Sequence, residues 1–190
     1  KQDEEREKKF KEYSSIYSSY VNFYHDELIK NENYSNVREY LKKRSLSKDQ
    51  VKKFKIGYIE KTPKIFDKLK KNFNLKTLEE TGLFYLDEKR NTHVERFRGR
   101  LIFPINNLSG QPIALGGRII EKKDYLAKYI NSPETPFFKK GANLYNLDLA
   151  RKFSTKVNNV FLVEGYMDVV GLSQNGIENS VANLGTSLTD

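Results

Sequence analysis

The sequence predicts a basic α+β lobe, made of helices plus a small antiparallel sheet, followed by the start of an α/β lobe. Helical periodicity dominates up to about Gly82 and then gives way to short strands separated by turn residues. Near the end, an apolar strand, a helix and a second strand follow one another, as they do in α/β folds. The first hundred residues hold 25 basic and 17 acidic side chains, which makes this part the basic one.

Composition excludes several classes of protein. With 190 residues, 37% of them hydrophobic, the chain has enough apolar side chains for a core. The absence of cysteine excludes a disulfide framework, a zinc ribbon and a cysteine nucleophile within this stretch. No apolar run approaches the roughly 20 residues of a membrane span, and residues 1–5 have no signal-peptide character. We therefore expect an intracellular protein with no membrane partner. Because the sequence does not begin with Met, we also expect it to be a segment of a longer protein.

An amphipathic pattern predicts a first helix from about residue 4 to residue 30. Its apolar stripe is rich in tyrosine, and packing into the core is the favoured interpretation, with a stacking surface for bases as the alternative. Shorter helices should follow, with N-terminal signals at Ser35, Ser47, Thr62-Pro63 and the pair Thr77 and Glu80. The first two of these helices flank an exposed elbow at Arg44.

The second half changes period. Residues 83–85 and 95–98 look extended, and residues 101–105 and 112–115 flank a turn-rich loop, which predicts a hairpin. Residues 121–146 show no sustained period and are predicted to be an irregular segment over the sheet. A helix at 147–153, a buried parallel strand at 157–163, a helix ending near Asn175 and a strand from Ser180 complete the prediction.

Two carboxylates stand at the most informative point of this pattern. Glu164 follows the apolar strand directly, at the edge where open parallel sheets bind ligands, and Asp168 follows four residues later. Gly165 allows a phosphate or metal to approach the backbone. Glu164 and Asp168 would form half of a Mg²⁺ site, because hard cations take oxygen ligands. The alternative is that Glu164 merely caps the following helix.

A series of motifs resembles one family. VEGYMDV at 163–169, followed by VANLGT at 181–186, resembles the first half of the Toprim module of bacterial DnaG-type primases. Upstream, RFRGRLIFPI at 96–105, GGR at 116–118, KYINSPETP at 128–136, FKKG at 138–141 and LY at 144–145 resemble the same family's signatures in the same order. The resemblance runs from about Arg38 to Leu188. It implies a basic N-terminal lobe at residues 1–140 and the first part of a Toprim lobe at residues 141–190.

The resemblance implies synthesis of RNA primers on single-stranded DNA, and it assigns roles. Glu164 would be the catalytic acid and, with Asp168, a ligand of Mg²⁺ or Mn²⁺. The family's further aspartate pairs lie on later strands outside this chain, so the chain alone is expected to be inactive. The nucleotide-binding positions would be Arg44, Arg118, Lys128 and Lys140. The template-binding positions would be Arg96, Arg98 and Asn131.

The spacing of the arginines is consistent with those roles. Arg96, Arg98 and Arg100 would project from one face of a strand and line a groove for a sugar-phosphate backbone, while Phe97 would point into the core. The alternative is a solvated strand face. Ser45 stands where the family usually has glycine, after the arginine of the elbow.

The family also implies partners and a location. The partners would be the single-stranded DNA template, the RNA primer, nucleoside triphosphates and, through a domain absent here, the replicative helicase. Zinc would belong only to a separate upstream domain, and the protein would work in the bacterial cytoplasm at the replication fork. Two other classes stay open: a single-stranded DNA-binding module without chemistry, and another Toprim enzyme, such as a topoisomerase or nuclease.

Overall fold

A computed structural model of the chain describes residues 2–62, 65–121 and 125–185. The helices among these residues are α1 (Gln2–Lys30), α2 (Ser35–Lys43), α3 (Lys48–Lys53), α4 (Ile65–Lys70), α5 (Leu75–Glu80), α6 (Leu147–Val157) and α7 (Tyr166–Gln174). The strands are β1 (Gly57–Ile59), β2 (Phe84–Asp87), β3 (Thr92–Glu95), β4 (Arg100–Asn106), β5 (Pro112–Ile119), β6 (Tyr129–Asn131), β7 (Phe161–Val163) and β8 (Ser180–Ala182). No helix in these ranges has the length and apolarity that crossing a membrane requires.

The central element is a four-stranded antiparallel sheet in the order β1-β4-β5-β6. The predicted hairpin is confirmed as β4 and β5, whose strands extend further than the sequence pattern indicated. The predicted irregular segment contributes the edge strand β6, which the sequence analysis missed. Three residues are too few to show a period of two, so β6 left no signal in the pattern.

Helix α1 packs its tyrosine stripe into the core, as predicted. Tyr13, Tyr17, Tyr20 and Tyr24 are buried, and each hydroxyl has a hydrogen-bond partner in another element. Tyr13 donates to the Ile113 carbonyl of β5 at 2.8 Å. Because a buried hydroxyl without a partner is costly, these bonds fix where α1 lies on the sheet. The alternative of a base-stacking surface on α1 is therefore wrong.

Of the predicted helix starts, the one at Ser47 is confirmed and the one at Thr77 is wrong. Ser47 caps α3 by accepting a hydrogen bond from the Gln50 amide at 3.3 Å. Thr77 was wrongly predicted as a cap, because it lies inside α5 and the Asn74 side chain accepts from the Lys76 amide instead. The predicted helix start at Pro63 lies outside the described residues.

The prediction of one strand carrying Arg96, Arg98 and Arg100 on a shared face is wrong. Strand β3 ends at Glu95, and residues 96–99 form a turn that Gly99 closes at φ 72°. Arg100 begins β4, is buried, and donates to the Lys128 carbonyl at 3.3 Å. Phe97 is buried, as predicted. A glycine in the left-handed region reverses the chain where the sequence pattern showed only alternation.

The last segment is the predicted strand, helix and strand, with β7 and β8 paired in parallel. Helix α6 runs further than predicted, so β7 begins only at Phe161. The prediction that this strand is buried is wrong for the described residues, because Phe161 and Leu162 are exposed. A parallel strand is buried only when helices cover both faces of its sheet, and the part of the chain described here does not cover them.

Glu95 generates a prediction about pH. Its carboxylate is buried and accepts hydrogen bonds from the hydroxyls of Tyr20 and Tyr24, at 2.8 and 2.6 Å. Burial raises the pKa of Glu95 from 4.5 to about 7. Since the pKa in the folded state is the higher one, the protonated carboxyl stabilises the fold at low pH. This contribution is complete below pH 4.5 and is lost as the pH rises through about 7.

We therefore expect the free energy of unfolding of the parent, relative to that of Glu95→Gln, to fall by on the order of 3 kcal/mol across this window. Urea unfolding at a series of pH values measures the difference, and glutamine keeps an oxygen that accepts the tyrosine hydrogen bonds. Parallel pH profiles of parent and variant would contradict the prediction.

Candidate active site

The register of the sheet aligns residues of β4, β5 and β6 in two rows. Gly116 of β5 lies between Phe103 of β4 and Asn131 of β6. Two residues further along β5, Arg118 lies between Leu101 and Tyr129. Because residues two apart on a strand project from the same face, both rows occupy one face of the sheet. The other glycine of the GGR motif faces the opposite side, where it makes room for Phe97.

The ring of Tyr166 packs onto the first row. It stacks on Phe103, with ring centroids 5.3 Å apart and planes 12° apart, and a Cβ added to Gly116 would come within 2.3 Å of the ring. The Tyr166 hydroxyl donates to Asn131 Oδ1, while Asn131 Nδ2 donates to the Leu184 carbonyl at 2.6 Å. Tyr166 is the first residue of α7 and follows Glu164 by two positions. This packing therefore fixes where Glu164 emerges relative to the sheet.

Arg118 and Tyr129 of the second row belong to a series in which cations alternate with tyrosine rings. We call this series the cation–tyrosine ladder, and its members are Arg44, Tyr40, Arg118, Tyr129 and Lys128. The Arg44 guanidinium lies 5.7 Å from the ring centroid of Tyr40, and Arg118 lies 5.4 Å from the same centroid. Arg118 is also 5.6 Å from the ring of Tyr129, and the Lys128 ammonium is 5.7 Å from it. Three of the four predicted nucleotide-binding residues are thus brought together.

Arg118 is the most unusual member of the ladder. Its side chain is buried, with 3% of the residue exposed. Its Nε and Nη1 atoms have no hydrogen-bond partner among the residues that the structure describes. A buried donor without a partner costs roughly 1–3 kcal/mol, and the two flanking rings compensate only part of that cost. The fork of a guanidinium matches the oxygens of a phosphate, so an anion that reached it would satisfy these donors.

The elbow that presents Arg44 is hydrogen-bonded to helix α7. Ser45 adopts φ 59°, in the left-handed region that favours glycine, which gives a physical reason for the glycine preference of the related family. Gln174 of α7 donates to the Ser45 carbonyl at 2.6 Å and accepts from the Ser47 amide at 2.8 Å. These two bonds hold the elbow against α7 although the residue at its tip is serine.

The two predicted carboxylates lie at the start of α7 with different partners. Glu164 follows β7 and is exposed, while Asp168 Oδ2 accepts a hydrogen bond from the Gly165 amide at 3.1 Å. Asp168 rather than Glu164 therefore makes the hydrogen bond that caps the helix. Burial raises the pKa of Tyr129, and the charge of Asp168 adds to the rise, whereas Arg118 and Arg44 oppose it. The charge of Asp168 thus acts on Tyr129, one ring of the cation–tyrosine ladder.

The chemistry of these two side chains suits a hard divalent cation, which takes carboxylate oxygens together with water and substrate phosphates. Within residues 2–62, 65–121 and 125–185, no three histidine or carboxylate side chains form a group that could hold a metal ion. Glu164 and Asp168 therefore fit a partial site, and the substrate and further ligands would have to complete it.

Lys140 lies apart from the ladder. No contact of its ammonium group with the ladder occurs among the described residues, and only its backbone amide is engaged, with Glu134 Oε1 at 3.2 Å. The neighbouring Lys139 forms an ion pair with the same glutamate at 3.2 Å. Of these two lysines, Lys139 forms the ion pair, and the charge of Lys140 also helps to lower the pKa of Glu134.

Arg96 and Arg98 come together at a different surface, in spite of the turn that carries them. Both contact Tyr85 of β2, through a cation–ring approach of 5.6 Å and a hydrogen bond of 2.9 Å. Asn131, the third predicted template-binding residue, lies elsewhere, and its amide is engaged on both sides by Tyr166 and Leu184.

Sequence reasoning missed the aromatic members of the site. Tyr129 and Tyr166 stand within the motifs quoted above and Tyr40 lies on α2, but each obtains its role from a partner distant in the chain. Tyr129 lies opposite Arg118 only because β6 pairs with β5 in one register. The sequence did contain a signal for Tyr166, since glycine within a strand often marks a place where another group packs closely against the sheet. In GGR, Gly116 is the residue against which the Tyr166 ring packs.

The fit of Tyr166 over Gly116 predicts the effect of a methyl group. Gly116→Ala should lower the free energy of unfolding by about 1–3 kcal/mol, because the added Cβ overlaps the ring and neither side can move freely. Gly171→Ala is the matched control, since nothing lies within 4 Å of its added Cβ. In the middle of a helix that control should stabilise by about 0.5–1 kcal/mol. Equal effects in urea unfolding would contradict the packing described.

The effect of the Asp168 charge on Tyr129 predicts a change in the titration of this tyrosine. Asp168→Asn should lower the pKa of the Tyr129 hydroxyl and Arg118→Met should raise it, because these charges act on it in opposite directions. NMR titration of ring-labelled tyrosine measures both shifts, and Asp87→Asn on β2 is the control. An unchanged Tyr129 titration in Asp168→Asn would mean that this carboxylate does not face the ladder.

Comparison with known proteins supplies the family. The model described as DNA primase catalytic core, N-terminal domain, matches residues 23–151, and the Toprim domain model matches residues 158–190. The chain is 40% identical over 181 residues to a DNA primase of Halalkalibacterium halodurans, and 36% identical over 180 residues to one of Enterococcus faecalis. These alignments cover 93% and 92% of this chain but only 29% of each relative.

Solved structures agree with the sequence matches. The RNA polymerase domain of Mycobacterium tuberculosis primase DnaG, in complex with double-stranded DNA bearing a 6-nucleotide overhang, superposes with a TM-score of 0.86 at 28% identity. A DnaG primase catalytic domain bound to single-stranded DNA superposes with a TM-score of 0.85 at 34% identity. Each comparison covers 95% of this chain and 56% of the other chain. The chain therefore belongs to the DnaG-type DNA primase family, of whose catalytic core it carries the N-terminal domain and the beginning of the Toprim domain.

Proposed function

We propose that this chain forms the nucleotide-binding and template-binding part of an enzyme that synthesises short RNA primers on single-stranded DNA. The observation that carries the proposal is the buried guanidinium of Arg118, whose N–H donors lack partners among the described residues. The charges of Arg118 and Asp168 both act on the pKa of the Tyr129 hydroxyl, in opposite directions. Cations for a triphosphate and a carboxylate for a metal ion are the two components that nucleotidyl transfer requires.

The proposed roles follow the chemistry of each group. Arg44, Arg118 and Lys128 bind the oxygens of an incoming nucleoside triphosphate, because arginine and lysine bind phosphate without reacting with it. Lys140 joins them when the substrate is bound. The ladder is pre-organised for this task, since the rings of Tyr40 and Tyr129 hold the cations in place before the anion arrives.

Glu164 is the proposed catalytic acid and, with Asp168, binds Mg²⁺ or Mn²⁺. A divalent cation bound there supplies stabilisation of the attacking and leaving oxygens of the transferred phosphate. The chain's own contribution is to hold two oxygen ligands at the start of α7. Tyr166 and Asn131 hold that start against the sheet.

Template binding is assigned to Arg96, Arg98 and Asn131. The first two are cations at one surface, suited to a sugar-phosphate backbone. The Asn131 amide is already hydrogen-bonded to the Tyr166 hydroxyl and the Leu184 carbonyl, so this residue also positions Tyr166. The RNA primer and nucleoside triphosphates are further proposed partners, and the replicative helicase would bind through a separate domain. Zinc would bind only in a separate upstream domain. Primase activity also implies work at the bacterial replication fork, in the cytoplasm.

The division into two lobes, residues 1–140 and 141–190, is part of the same proposal. It is supported by Tyr145, whose amide donates to the Ala182 carbonyl of β8 at 2.9 Å, while Asn146 Nδ2 donates to the Ser180 carbonyl at 2.9 Å. The chain just after residue 140 is thus bonded to the last described strand.

The role of Glu164 is testable in a chain extended through the aspartate-bearing strands that the family resemblance implies. Glu164→Gln should abolish primer synthesis on single-stranded DNA with Mg²⁺ or Mn²⁺, because a neutral amide neither transfers the proton nor supplies the negative charge that binds the cation. DNA binding should stay nearly intact. Glu88→Gln, an exposed glutamate on the β2–β3 hairpin, is the control and should keep full activity.

Primer yield is measured by incorporation of labelled nucleotide, with the 190-residue chain expected to be inactive. Equal yields from Glu164→Gln and the parent would remove Glu164 from the mechanism. DNA binding without any synthesis by the extended parent would favour a binding module, and DNA cleavage would favour a different Toprim enzyme.

A further inference from the structure

Tyr85 is an exposed aromatic residue in an arginine-rich surface. It lies on β2, opposite Val94 of β3, and 38% of it is accessible to solvent. The tyrosines of α1, by contrast, are buried in the core, so they are not available to a ligand. Neither the motifs of the sequence nor the roles proposed above involve Tyr85.

Two arginines hold its ring in place. The Arg96 guanidinium lies 5.6 Å from the ring centroid, and Arg98 Nη1 donates to the Tyr85 hydroxyl at 2.9 Å. Arg96 is itself fixed, because its Nε donates to the Gly82 carbonyl at 2.7 Å. An exposed aromatic residue by itself is ordinary, but this one is oriented by both cations that the proposed function assigns to the template.

The arrangement has the two components of a single-strand site. Guanidinium groups bind phosphates, and an accessible aromatic ring stacks with an unpaired base. A ring whose orientation is already fixed loses little conformational freedom when a base stacks on it. Stacking of this kind tolerates any base, because every base has a π-face.

We infer that Tyr85 is a stacking platform for one unpaired base of a single-stranded nucleic acid whose phosphates are bound by Arg96 and Arg98. The inference rests on the proposed function, since it assumes that the two arginines contact the template. It adds to that function a base contact on the β2–β3 hairpin, at a residue outside the motifs quoted above.

The experiment measures the affinity of the 190-residue chain for fluorescently labelled oligothymidylate by anisotropy. Tyr85→Leu should weaken binding about tenfold, because stacking is worth roughly 1–3 kcal/mol per base. Tyr85→Phe keeps the ring and should bind within about threefold of the parent, since a neutral hydrogen bond contributes little net energy. Phe153→Leu is the matched control, because Phe153 is also 38% exposed and has Lys156 at 5.9 Å from its ring.

Two further measurements separate stacking from charge. With an oligonucleotide made of abasic sites, parent and Tyr85→Leu should bind equally, because no base is left to stack. The slope of log affinity against log salt should be the same for parent and Tyr85→Leu, whereas Arg98→Met should reduce it by about one, as loss of one phosphate contact does.

Several results would overturn the inference. If Tyr85→Leu binds as the parent does while Arg98→Met is weakened, the base contact is absent and the proposed template surface stands. If Tyr85→Phe is weakened as much as Tyr85→Leu, the hydroxyl acts through Arg98 and the ring does not stack. If the parent itself does not bind the oligonucleotide, both the inference and the proposed template surface fail. Circular dichroism verifies that each variant is folded.

Discussion

The contact between Tyr166 and the four-stranded sheet is the constraint on which the candidate site depends. Glycine at position 116 leaves a space that the ring fills, Phe103 forms the floor, and Asn131 accepts the hydroxyl hydrogen bond. The ring belongs to the same short stretch as Glu164 and Asp168. A packing contact of apolar and aromatic atoms thus determines where two carboxylates lie relative to a group of cations. The chemistry assigned to the site follows from the geometry of this contact.

The cations of the ladder are held by contacts with tyrosine rings, which differ from salt bridges in leaving the positive charge available to a ligand. If the ladder arginines were paired with carboxylates, a substrate phosphate would have to displace an internal partner. Instead, Arg44, Arg118 and Lys128 lie against the rings of Tyr40 and Tyr129, which attract cations without neutralising them. The buried donors of Arg118 have no partners among the described residues, and a bound anion would satisfy them. The same contact, between an arginine and a tyrosine ring, occurs between Arg96 and Tyr85 on the β2–β3 hairpin.

Elements defined by local pattern could be predicted from the sequence, and contacts defined by register could not. The tyrosine stripe of α1 and the β4–β5 hairpin follow from periods of 3.6 and 2, and the structure confirms both. Strand β6 was missed because three residues carry no period, and with it the pairing of Tyr129 with Arg118. Arg96 and Arg98 alternate with Phe97 as residues on a strand do, but they lie in a turn that ends at Gly99. The alternation is present in the sequence, and the strand predicted from it is wrong. The resemblance supplied candidate residues, whereas the tyrosines that position them emerged only from the fold.

The central claim is that the carboxylates at the start of α7 and the cation–tyrosine ladder face a single substrate. A crystal structure of the extended chain, grown with Mn²⁺ and a non-hydrolysable nucleoside triphosphate, tests it most directly, because anomalous scattering locates the metal independently of the protein atoms. The account predicts a manganese peak bonded to Glu164 or Asp168, with the same triphosphate accepting hydrogen bonds from Arg118. A triphosphate bound away from Arg118, or manganese bound without either carboxylate, would contradict it.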